Sequence, residues 1–149
     1  MKTRIERTTI GWVIAVLTLL SAVNSTYFFL AMGNVGVYPW LMMNSCAPSI
    51  VVFFIGFVLA NPLIIGAGAA MMFRYGTLGL FIFSWDGPNL IAQVGHILMT
   101  LSVIYTLWAI KKSKMWKRFL IGVGIGAVIL AAYGWLQHQY FSEHPKVLE

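Results

Sequence analysis

Between Pro48 and Trp85 the chain runs for 38 residues with a single charged side chain, Arg74. As continuous helix that run would extend about 57 Å, against a bilayer hydrocarbon core of about 30 Å. One upright span cannot hold it and two barely fit. The segment therefore decides how often the chain crosses a membrane and which way every later segment faces.

The rest of the chain makes a membrane the natural solvent. Hydrophobic residues are 60% of the 149 and charged residues only 9%, where globular domains carry about 25% charged residues. At about 20 apolar residues per span there is room for four or five helices and none for a separate soluble domain. Residues 1–149 read as one integral, all-α, polytopic bundle in the cell inner membrane or an equivalent multi-pass setting. The formal charge of +6 would suggest nucleic acid in a soluble protein. Here five of the ten basic residues, Lys111, Lys112, Lys114, Lys117 and Arg118, fall between two apolar runs. That is the signature of a cytoplasmic loop facing anionic headgroups, so the expected partner is the lipid bilayer and not nucleic acid.

Three spans are clear, at about 10–32, 90–110 and 117–137. The first has a basic flank (Lys2, Arg4, Arg7) and no small-residue cleavage site after Met32, so it reads as an uncleaved span with its N-terminus cytoplasmic. Pro88 and Asn89 open the fourth helix of a five-span scheme.

The disputed segment has two solutions. In the four-span one, a helix over about 48–73 kinks at Pro62 and Arg74 ends it at the headgroups, but the Lys111–Arg118 loop then falls outside. In the five-span one, helices cover about 39–60 and 62–85, with Asn61 as N-cap and Pro62 at the first helical position. Both basic clusters then face the cytoplasm. Five spans are favoured, at a cost of about 2.5–3.5 kcal/mol for an arginine at mid-membrane.

Polar side chains at membrane depth are costly, face the bundle interior and mark candidate sites. In the five-span scheme Arg74 and His96 lie several ångströms apart in depth. Gln93 shares a helix face with His96 three residues on, and Asn24 adds an amide from the first span. Arg74, His96, Gln93 and Asn24 are thus expected to form a donor-rich centre. The acids Glu6, Asp86, Glu143 and Glu149 all lie at or beyond span ends. A visiting anion would supply the missing charge, which suggests a channel or transporter; the structural alternative is that Arg74 snorkels to the interface.

Other classes stay open. His96 could serve haem or a quinone, although His138 and His144 follow the last span and leave no second buried histidine. Met42, Met43 and Cys46, with Met71 and Met72, offer soft ligands of the kind that suit Cu(I), or simply fill gaps in the core. Neither haem nor copper is favoured. The lone cysteine excludes an internal disulfide, and there is no HExxH, GxSxG or P-loop.

Gly66 and Ala70, and Gly122, Gly124 and Gly126, have the small-residue spacing that allows close helix approach, within one chain or in a homo-oligomer. A homo-oligomer fits the transport reading; glycine faces and a basic loop that dock other chains fit an accessory or assembly subunit of a larger membrane complex, a second functional class.

Overall fold

The computed structural model describes residues 4–82, 84–87 and 89–144. Lys2, Pro88, Leu148 and Glu149, named above or at the chain's end, lie outside them. Of the described residues 84% are helical and none lies in a strand. Helix α1 spans Thr9–Tyr27 and continues through a π-helical turn, Phe28–Met32. Helices α2 (Val37–Met43) and α3 (Cys46–Val58) follow. Then come α4 (Pro62–Met72), a second π turn (Phe73–Thr77) and the short α5 (Gly79–Ile82). Helices α6 (Asn89–Ser113) and α7 (Trp116–Glu143) complete the chain. Four helical stretches are long and apolar enough to cross a membrane, and a fifth is obtained if α2 and α3 count as one bent span.

The chain breaks between Val58 and Pro62 as its residue types dictate. Ala60 takes a left-handed conformation (φ 51°). The Ala60 and Asn61 amides donate to the carbonyls of Phe57 and Gly56 at 3.0 and 2.9 Å, the paired bonds of a Schellman motif. Asn61 then caps α4 by accepting from the Leu63 amide at 3.0 Å, with Pro62 in the first turn, where its missing N–H costs nothing. Helices α3 and α4 form an antiparallel hairpin, so one helix kinked at Pro62 is not what forms. The α6–α7 turn repeats the device, with Lys114 at φ 55° and the Lys114 and Met115 amides bonded to Lys111 and Ile110.

Two turns and the N-terminal segment gather at one end of the bundle. The Ile5 amide donates to the Ala60 carbonyl at 3.1 Å, Arg7 caps α3 through the Val58 carbonyl at 2.6 Å, and Glu6 pairs with Lys112 at 3.2 Å. That ion pair is about half exposed and contributes little. Arg4, Arg7 and the Lys111–Arg118 segment therefore share one end of the bundle, the basic end.

Small residues bring α4 and α7 together side by side, running in the same direction. A Cβ on Gly122 would collide with the Leu63 carbonyl oxygen, one on Gly66 with that of Phe119, and one on Gly126 would lie 2.6 Å from that of Ala67. The Gly66, Ala70, Gly122 and Gly126 pattern is used within the chain, while Gly124 meets nothing within 4 Å. On the other side of the bundle, α1 packs antiparallel to α6, and Thr18 and Ser102 share a hydrogen bond at 2.9 Å. The inner layer is closed by Phe53, Ile65, Met72, Met99 and Ile110, all 2% exposed or less.

The expected helix over 39–60 is not continuous. It divides into α2 and α3 at an 83° bend. Pro48 has no N–H for the Asn44 carbonyl and its ring would strike that carbonyl in a continuous helix. Asn44 instead accepts from the Ala47 amide at 3.3 Å and starts α3 afresh. The helix expected over 62–85 ends at Ile82, and α7 runs six residues beyond its expected end at 137, to Glu143.

Candidate functional site

The bend at Asn44 and Ser45 lies at the end of the bundle away from the basic cluster, where α2 folds over the ends of α3 and α7. The last carbonyls of a helix lack partners inside it. Here α7 supplies them: Tyr133 donates its hydroxyl to the Leu41 carbonyl, and Gln137 donates to the Met42 carbonyl at 2.6 Å. Gln137 also reaches the Ser45 hydroxyl at 2.8 Å and accepts from Tyr75 at 3.3 Å. Tyr133 and Gln137 are one helical turn apart, so both fall on the face that α2 covers. Tyr38 adds an edge-on ring contact to Tyr140, 5.5 Å between centroids.

Under this cover Cys46 opens α3, with its sulfur 3.7 Å from His96 Nε2. The other ring nitrogen, Nδ1, is 3.1 Å from Gln93 Oε1. An amide oxygen can only accept, so that bond places the imidazole proton on Nδ1 and turns the Nε2 lone pair toward the thiol. Gln93 is fully buried and His96 is 6% exposed. The imidazole lies against the backbone of Gly79, where a Cβ would approach Cε1 to 2.8 Å. Cys46 is half-buried. By helical rise, His96 is about 10 Å from the start of α6 at Asn89. Thiol, imidazole and amide thus stand in the order nucleophile, base and orienting group, with the thiol contact still open by a few tenths of an ångström.

Of the expected centre of Arg74, His96, Gln93 and Asn24, the structure brings two residues together, Gln93 and His96. Arg74 and Asn24 are exposed, and no hydrogen bond or ion pair of Arg74 occurs among the described residues. Arg74 stands two residues after fully buried Met72 and so on nearly the opposite side of the helix, on the flank beside exposed Phe73, while Tyr75, one residue further, meets α7. With about eight residues left to Ile82, the guanidinium lies about 12 Å from the helix end, a depth from which a long side chain can reach toward the headgroups. Asp86 does not clasp it. The Ser84 hydroxyl donates to Asp86 at 2.7 Å and holds that exposed carboxyl below its usual range.

The soft ligands do not converge either. Met42 is buried, Met43 is 40% exposed, and Met71 and Met72 point into the core. No group of three or more His, Cys, Asp or Glu residues suited to a metal occurs among the described residues. For haem, the ring nitrogens of His96 are directed at Cys46 and Gln93, and His144 bonds the Tyr140 carbonyl in the exposed tail. Sequence reasoning missed Ser45, Tyr75, Tyr133 and Gln137, and the pairing of Cys46 with His96. Asn44-Ser45 before Pro48 was a legible helix break, and it would have placed Cys46 at the depth of His96.

Beside the centre an apolar groove of about 620 Å³ runs between α1 and the α2–α3 bend, lined by residues that include Leu19, Ala22, Val23, Trp40, Ala47 and Pro48. Among the described residues the buried Trp40 indole N–H has no acceptor, an arrangement that costs about 1–3 kcal/mol.

No known protein family, characterised protein or solved structure matches this chain.

Proposed function

We propose that the chain crosses the membrane five times, with its basic end in the cytoplasm, and that it performs thiol-dependent chemistry at Cys46 near the opposite face. The alternating directions of α1, α3, α4, α6 and α7 support the crossing number. The gathering of Arg4, Arg7 and Lys111–Arg118 at one end supports the orientation, because lysine and arginine are retained on the cytoplasmic side.

The observation that carries the catalytic reading is the line from Cys46 Sγ to His96 Nε2 at 3.7 Å and from His96 Nδ1 to Gln93 Oε1 at 3.1 Å. His96 takes the thiol proton as the sulfur attacks an electrophile, and Gln93 keeps the imidazole in the tautomer and orientation that allow it. Such a base is worth about 10²–10⁴ in rate. An anion pathway drawn to Arg74 is not preferred, because that side chain lies on the outer flank.

The test is the alkylation rate of Cys46 by a small neutral electrophile across pH. His96→Ala should slow it at least about tenfold near neutrality and shift its onset to higher pH. Equal rates and pH profiles in the two proteins would remove the catalytic reading. A C-terminal tag found in the cytoplasm would remove the five-span orientation.

A further inference from the structure

We propose that the electrophile is the ester carbonyl of a membrane glycerolipid, whose acyl chain occupies the groove between α1 and the α2–α3 bend. This assignment rests on the thiol reading above. Ala47 and Pro48 line the groove and directly follow Cys46, so the groove wall and the nucleophile belong to the same first turn of α3. The lining is apolar along its length, and its rim residues Val23 and Val51 are 58% and 45% exposed on the bundle's flank. It therefore opens sideways, toward hydrocarbon, and suits a chain that enters from the bilayer. Its volume falls within the roughly 300–1,000 Å³ of small-molecule sites.

A donor is also present for the ester. Trp40 lines the groove at the bend, and its buried indole N–H has no hydrogen-bond partner among the described residues. Acyl transfer through a thioester is chemistry that a thiol–imidazole pair supports with a single cysteine.

The step balances without an oxidant or reductant. Cys46 Sγ adds to the ester carbonyl while its proton passes to His96 Nε2. The carbon–oxygen bond to glycerol breaks, the leaving oxygen takes the proton from His96, and the products are a Cys46 thioester and a lysolipid. Water or another hydroxyl or amine nucleophile then receives the acyl group and restores the thiol.

Full-length protein in phosphatidylglycerol vesicles with tagged long acyl chains, supplied with hydroxylamine as acceptor, tests this by the appearance of acyl hydroxamate and lysolipid. The wild type should form both, and Cys46→Ser should form neither above protein-free vesicles. His96→Ala should lower the rate at least about tenfold. Val51→Trp, which fills the groove, should reduce the rate with long-chain lipid more than with short-chain lipid.

Wild-type turnover equal to that of Cys46→Ser overturns the lipid assignment. If His96-dependent alkylation persists in that case, the thiol reading stands without it. Acyl transfer from a soluble acyl thioester with none from vesicle lipid also overturns the glycerolipid as donor. Equal losses for long and short chains in Val51→Trp overturn the groove as the chain's seat.

Discussion

The two ends of the bundle are closed by different means. At the basic end, α3–α4 and α6–α7 are joined by tight turns in which main-chain amides satisfy main-chain carbonyls, with Arg7 and Asn61 as the helping side chains. At the opposite end α2 lies across the bundle and its terminal carbonyls are satisfied by Tyr133 and Gln137 from α7. A closure built from backbone tolerates many side chains, while one built from side chains needs those residues. The end held by specific side chains is also the end where Cys46, His96 and Gln93 meet. The polar groups of that end converge on one site, while those of the basic end, Arg7 with Val58 and Glu6 with Lys112, tie the N-terminal segment to the turns.

The contrast can be broken most severely where both ends depend on the same contact. Gly122→Leu would force its side chain into the Leu63 carbonyl and separate α4 from α7, at a cost above about 3 kcal/mol. We expect loss of the monodisperse folded protein in detergent, measured by size-exclusion profile and melting temperature. A well-folded variant would show that the α4–α7 contact is not what holds the two ends in register.

Gln137→Leu should act at one end alone. It leaves the Met42 carbonyl and Ser45 without their partner, and costs about 1–3 kcal/mol. Hydrogen exchange should rise in α2 while the Ala60 and Lys114 turns keep their protection. A uniform rise over both ends would contradict the separation. The converse substitution, Ala60→Gly, relieves a left-handed non-glycine residue at the basic end. It should raise stability by up to about 1 kcal/mol, with no change in Cys46 alkylation. A fall in stability would mean that Ala60 owes its conformation to packing and not to the turn.

The smallest effect belongs to the loop between α5 and α6. Ser84 lowers the Asp86 pKa, so the interaction favours the folded state above the carboxyl's ordinary range and is lost as pH falls through its depressed folded value. Asp86→Asn should therefore flatten a shallow acid dependence of loop exchange and leave neutral behaviour nearly unchanged. A large change at neutral pH would indicate a further role for that carboxylate.

Hydropathy along the chain shows where helices run, and Asn61-Pro62 marks the break between α3 and α4. The expected spans at 10–32, 90–110 and 117–137 lie inside α1 with its π turn, α6 and α7, apart from the fraying of ends. The site was legible only in part. Gln93 and His96 share a face because three residues along a helix always do. Arg74 misled, since an apolar neighbourhood in sequence reports depth and says nothing of direction.

What the sequence determined by itself is the all-helical, membrane-suited character of the chain, the positions of its breaks and the grouping of its basic residues. These follow from local composition, capping and the chemistry of proline. The tertiary structure decided which polar groups meet: packing left Arg74 on the flank and set Tyr75 against α7, and the bend before Pro48 carried Cys46 to His96. Such meetings depend on the rotational phase of each helix against its neighbours. That phase is set by contacts between residues far apart in the chain, such as Gly66 with Gly122 and Gly79 with His96.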